Sequence, residues 1–174
     1  MLDVYITVDV EVWCEDWNRI DEQFPEAFHR YVYGPTPQGE FGLPFQLRLL
    51  NEYGLRACFF VEPLFSLRFG AQWLKKIVDL IQGAGQEVQL HLHPEWVDEI
   101  TPPPVSTDGG KRPLLKQYPL ADQITLIGLG KRLLEEAGVA QVSAFRAGSF
   151  GFNANTLRAV ACNGMSIDAS YNAT

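Results

Sequence analysis

The chain has 174 residues, of which 47% are hydrophobic and 20% charged, a balance that excludes a disordered or fibrous segment and predicts one globular domain over residues 1–174. Its formal net charge of −7 supplies no cationic face to neutralise phosphates, which excludes nucleic acid and anionic membrane surfaces as expected partners and favours a neutral or cationic one.

"LDVYITVDV", with its nearly continuous apolar run from Val4 to Val10, predicts a first strand covered on both faces in a parallel sheet. Glu11 to Leu43 is rich in aromatics, charges, Pro35, Pro37, Gly39 and Gly42 and reads as a long loop or lid. Pro44 opens a helix whose Phe45, Leu49 and Leu50 share a face, and Gly54 closes it. "LRACFFVEP" is the second strand; Trp73, Leu74, Ile77, Val78 and Ile81 mark the next helix, ended by Gly83 and Gly85. "GQEVQLHLHPEW" is the third strand. "TPPPVSTDGGKRP" is a second long loop, followed by a helix carrying Ile124, Ile127, Leu133 and Leu134 to Gly138. "QVSAFRAG" gives a fourth strand, Asn153 caps a helix holding Leu157 and Val160 with Gly164 at its end, and "MSIDAS" is a fifth strand. Strands alternating with helices in this way define an α/β fold with a parallel sheet.

In such folds chemistry collects where strands end. Asp9 and Glu11 end the first strand, His91 and His93 the third and Arg146 the fourth, while Asp168 lies near the end of the fifth. Because a strand has period two, Asp9 and Glu11 share a face, as do His91 and His93, and Val10, Leu90 and Leu92 point at the covering helices. Pro94 breaks the third strand, so Glu95 reaches the same region from a turn. Imidazole nitrogens with carboxylate oxygens form the ligand set of a divalent ion, zinc first, whereas a lone histidine on an apolar strand is more often a satisfied core residue. Cys14, Cys58 and Cys162 are odd in number and widely spaced, and Cys58 and Cys162 lie in apolar runs, so they are expected to be reduced, small buried hydrophobes with no disulfide framework. The N-terminus lacks a basic region and a small-residue cleavage site, and no apolar run approaches the roughly 20 residues of a membrane span. A cytoplasmic location is expected.

Taken together, these stretches resemble the polysaccharide deacetylases, the NodB homology domain of carbohydrate esterase family 4. "TVDVEVW" resembles the family's first motif, "ACFFVEP" its apolar second strand, "GQEVQLHLHPEW" its histidine motif, "AFRAGSFGFN" its arginine motif and "GMSIDASY" the following strand. The resemblance implies an incomplete or distorted (β/α)7-type barrel and a metal-dependent hydrolase that removes an acetyl group from an N-acetylated sugar. It implies Asp9 as general base, Arg146 as its orienting partner, and Glu11 and His91 as metal ligands. The family's second histidine falls four positions after the first, where this chain has Glu95; Glu95 and His93 therefore compete for the third ligand place. Val10 likewise occupies the usual second-acid position, so Glu11 must reach from one residue further. Trp13, Trp17, Trp96, Phe150 and Phe152 are candidates for stacking on sugar rings, Gly148 and Gly151 allow close backbone approach, and His29 has no assigned role.

The family's acid histidine comes from a later strand, and no histidine follows His93. A closed barrel needs more than roughly 200 residues, so the chain is expected to lack the last strands and helices and to present an open sheet edge that pairs with another copy. Two rival readings remain: another metal-dependent amide hydrolase on a barrel, and a degenerate carbohydrate-binding module without turnover.

Overall fold

The computed structural model describes residues 3–107 and 110–172. The start of the first predicted strand, two residues of the second long loop and the last two of the chain lie outside them.

The central sheet has five strands, β1 (Ile6–Val10), β4 (Ala57–Val61), β5 (Glu87–Leu92), β6 (Ala144–Ala147) and β7 (Ile167–Asp168), in the order β1-β4-β5-β6-β7. Every pairing is parallel. Neighbours therefore follow chain order, the winding of a barrel wall, and among the described residues no ladder joins β1 to β7. Register places Asp9 opposite Phe60 and His91 opposite Arg146. These side chains and Thr7, Cys58 and Gln89 share one face, while Val10, Phe59, Val61, Leu90, Leu92 and Phe145 belong to the hydrophobic core with helices α4 (Ala71–Gly83) and α5 (Leu120–Glu136) against β5.

The sheet curls around its polar face. Arg146 on β6 donates to Asp9 Oδ1 (2.6 Å) and Thr7 Oγ1 (3.0 Å) on β1, and to the Ala169 carbonyl (3.2 Å) just past β7. One side chain can span strands that are not neighbours only if the sheet bends towards closure. On the same face, at the N-terminal ends of the strands, an open cavity of about 810 Å³ is lined by Tyr5, Thr7, Cys58, Phe60, Ala144 and Ile167.

The segment Glu11 to Leu43 is not the loop that its prolines and glycines imply. It holds α1 (Ile20–Tyr33) and a short antiparallel hairpin, β2 (Pro35–Thr36) and β3 (Gly39–Glu40). Ile20, Phe24, Phe28 and Val32 recur every fourth residue and are buried, an amphipathic stripe that outweighs the cost of Pro25 inside the helix. Helix α2 (Leu43–Glu52) buries Leu43 and Leu47 rather than the expected Phe45–Leu49 face, and Leu49 is exposed. Helix α6 (Ala154–Cys162) is capped by Asn153 as expected, but Thr156, Ala159 and Val160 make its inner face, while Leu157 and Cys162 are exposed. Cys162 is therefore not a buried hydrophobe. Among the described residues no helix is long and apolar enough to cross a membrane.

Candidate metal centre

Strand β5 ends at Leu92, so His91 is the last inward-facing residue of the ladder and His93 stands just beyond it, at the head of the 3-10 turn Pro94–Glu99. Glu11 follows the end of β1. One carboxylate oxygen of Glu11 and one ring nitrogen from each of His91 and His93 lie within 4.8 Å of one another, the one such group among the described residues. Nε2 of His93 is 2.6 Å and Nε2 of His91 3.3 Å from Glu11 Oε2.

The other ring nitrogens are engaged. His91 Nδ1 lies 3.0 Å from the Arg146 carbonyl oxygen and His93 Nδ1 lies 3.3 Å from Glu95 Oε2. A carbonyl and a carboxylate can only accept, so both Nδ1 atoms must donate. In neutral rings each Nε2 then presents a lone pair to Glu11 Oε2, an acceptor that is buried and receives no aimed N–H. Three acceptors facing one another require a cation between them, either protons on the rings or a metal ion. Without a metal, protons fill that role. Burial opposes the charged ring of His93, but hydrogen bonds and charges from Glu11 and Glu95 outweigh it and push its pKa up to about 9. Burial also opposes the Glu11 carboxylate, yet the two imidazoles hold it well below the usual range. The donor set fits a divalent metal ion, with Glu11, His91 and His93 the residues that would hold it.

Of the other predicted site residues, Arg146 and Asp9 form the ion pair described above, two residues upstream of Glu11 on the same face. Glu95 contacts the far side of the His93 ring from Glu11. Asp168 is bound to Ser170 through its backbone N–H (3.2 Å) and hydroxyl (2.7 Å) and takes no part. His29 pairs with Glu40 (3.3 Å) on the hairpin.

Aromatic residues wall the centre. Trp13 meets the His93 ring edge-on at 4.7 Å, and Trp17 meets Trp96 at 5.0 Å. Trp96 is only 1% exposed, so its ring is packing and not a platform for a sugar. Phe152 likewise packs on the core, whereas Phe150 is 47% exposed. Ser149 and Phe150 hold φ of 51° and 52°, left-handed conformations that cost non-glycine residues roughly 1–3 kcal/mol each and cluster at functional sites. Gly148 ahead of them is required, because a Cβ there would sit 2.6 Å from His93 Nδ1.

Sequence reasoning missed Glu62. It follows directly on β4, its backbone N–H donates to the Val10 carbonyl (3.0 Å), and its carboxylate accepts from the N–H groups of Leu64 (2.9 Å) and Phe65 (3.4 Å). Burial pushes its pKa up to about 8, so at neutral pH it is largely an uncharged acid. The signal available was a carboxylate closing the apolar run "ACFFVEP".

No protein-family model and no curated protein matches the sequence. Solved structures share its fold. A protein from Mycobacterium smegmatis described as a candidate polysaccharide deacetylase matches with a TM-score of 0.60 at 21% identity, over 94% of this chain and 49% of that one. A CE4 family pseudoenzyme from Bacillus anthracis matches with a TM-score of 0.54 at 18% identity, over 94% of this chain and 41% of that one. A family 4 carbohydrate esterase from Streptomyces lividans, solved in complex with acetate, matches with a TM-score of 0.52 at 19% identity, over 94% of this chain and 60% of that one. The chain thus has the parallel α/β fold of the CE4 polysaccharide deacetylases, and it spans between 41% and 60% of the length of these solved chains.

Proposed function

We propose that this chain carries the catalytic face of a metal-dependent hydrolase that removes an acetyl group from an N-acetylated sugar. The observation that carries the reading is the convergence of Glu11 Oε2 with the Nε2 atoms of His91 and His93, while each Nδ1 lies against another acceptor, the Arg146 carbonyl or the Glu95 carboxylate. Glu11, His91 and His93 hold a divalent ion, zinc first, and the place contested by His93 and Glu95 goes to His93. When bound, the ion supplies Lewis-acid polarisation of the acetyl carbonyl and acidifies a water molecule. Asp9 is the general base that takes the water's proton. The Arg146 guanidinium, 2.6 Å from Asp9 Oδ1, pairs with that carboxylate and, itself held by bonds to Thr7 and Ala169, aims it. Half-buried Trp13 and Trp17 with exposed Phe150 offer apolar surface to a sugar ring.

A second reading, a sugar-binding protein without turnover, is favoured by one observation. The departing amine needs a proton, and the one histidine outside the cluster, His29, is paired with Glu40 on the hairpin. Metal analysis followed by acetate release from N-acetylated oligosaccharides separates the two. Metal with acetate release supports the hydrolase, and metal with sugar binding but no acetate supports the binding protein. Asp9→Asn should abolish acetate release and retain the metal; an unchanged rate refutes Asp9 as base.

A further inference from the structure

We propose that Glu95 is a positioning residue that sets the donor strength and aim of His93 towards the metal, an inference that rests on the ligand reading above. The two histidines are supported by different means. His91 Nδ1 donates to a backbone carbonyl, that of Arg146, which the sheet itself fixes. His93 stands past the end of the ladder, and the acceptor at its Nδ1 is a side chain, Glu95 Oε2 at 3.3 Å. Both side chains are shielded, His93 being 6% and Glu95 14% exposed. The turn that carries Glu95 is tied down as well. Lys111 Nζ donates to the Glu95 carbonyl (3.1 Å), pairs with Asp98 (3.2 Å) and Glu99 (2.5 Å), and sits 3.7 Å over the Trp17 ring. Glu95 touches Nδ1, and Glu11 faces Nε2 across the ring. In this arrangement Glu95 is behind the ligand and not a ligand itself. A carboxylate there fixes the tautomer, stops the ring turning about χ2, and makes Nε2 a better donor than a carbonyl partner would.

The test measures zinc affinity of the purified chain by competition with a chromogenic chelator, for wild type, Glu95→Gln and Glu95→Ala, together with the visible spectrum of the cobalt(II)-loaded proteins. Glu95→Ala should weaken zinc binding by about 10- to 100-fold. Glu95→Gln should weaken it less, because the amide oxygen still accepts from Nδ1. The cobalt band shape should stay that of wild type, since no ligand is lost. Zinc binding by both variants at wild-type affinity overturns the inference while leaving the ligand assignment standing. A changed cobalt coordination band in Glu95→Ala overturns it by making Glu95 a direct ligand. Failure of the wild-type chain to bind zinc or cobalt removes the ligand reading, and this inference with it.

Discussion

Gly148 separates the chain's steric needs from its chemical ones, because its backbone conformation is open to any residue and only the space beside it is not. An added Cβ lies 2.6 Å from His93 Nδ1 and 2.7 Å from Cε1 and Cγ, where carbon contacts ordinarily begin at about 3.5 Å. Gly148→Ala must therefore move the ring or the end of β6 by about 1 Å. The ring has little room to retreat, with Trp13 edge-on at 4.7 Å and Glu11 Oε2 at 2.6 Å. Overpacking of this kind costs about 1–3 kcal/mol. Metal sites tolerate displacements of only about 0.2 Å, so zinc affinity should fall by at least about tenfold. Urea denaturation with chelator present reads the first effect, and zinc competition reads the second. Gly83→Ala serves as control, since a Cβ there meets nothing within 4 Å. If Gly148→Ala binds zinc like wild type and unfolds at the same urea concentration as the control, the close approach of this backbone to His93 is wrong.

Three further outcomes follow from the same geometry. Glu62 keeps its proton up to about pH 8 in the folded chain but releases it near 4.5 when unfolded, and His93 is likewise raised from 6.5 to about 9. For both, the folded state binds the extra proton, so metal-free stability should fall as pH rises from about 5 to 9, by roughly 7 kcal/mol, about 4 of it from Glu62 and about 3 from His93. Denaturation at several pH values in chelator checks this; Glu62→Gln should flatten the slope, and a rise in stability over that range contradicts it. Gln89 Oε1 accepts from the backbone N–H groups of Ser143 and Ala144, each at 2.8 Å, so Gln89→Leu should cost about 2–4 kcal/mol in the same assay by orphaning two donors. Arg146→Met should destabilise by about 1–3 kcal/mol, less than a fully buried pair because Asp9 is 30% exposed; a neutral result would mean that the guanidinium does not hold the curl of the sheet.

The strands were legible because alternation writes itself into residue type: Val10, Leu90 and Leu92 face the core and Asp9 and His91 face inward, as period two requires. Helix α1 was hidden by a proline at position 25 and by the charged residues between its buried Ile20, Phe24, Phe28 and Val32. The rivalry between His93 and Glu95 had no answer in the sequence, since it depends on which ring nitrogen the turn Pro94–Glu99 presents to the carboxylate. Nor could spacing reveal that Arg146 reaches Thr7 and Ala169 as well as Asp9, because those contacts arise from curvature of the sheet and not from any local pattern. Glu62 went unread for a related reason: its state is set by complete burial, which residue type alone does not predict for a glutamate.

The central claim is that Glu11, His91 and His93 jointly chelate one divalent ion. Zinc titration by calorimetry of the wild-type chain and of Glu11→Gln, His91→Ala and His93→Ala tests it directly. The account predicts one zinc per wild-type chain and an affinity loss of at least about tenfold for each substitution. Wild-type protein that takes up no zinc, or three variants that bind it as tightly as wild type, would contradict it.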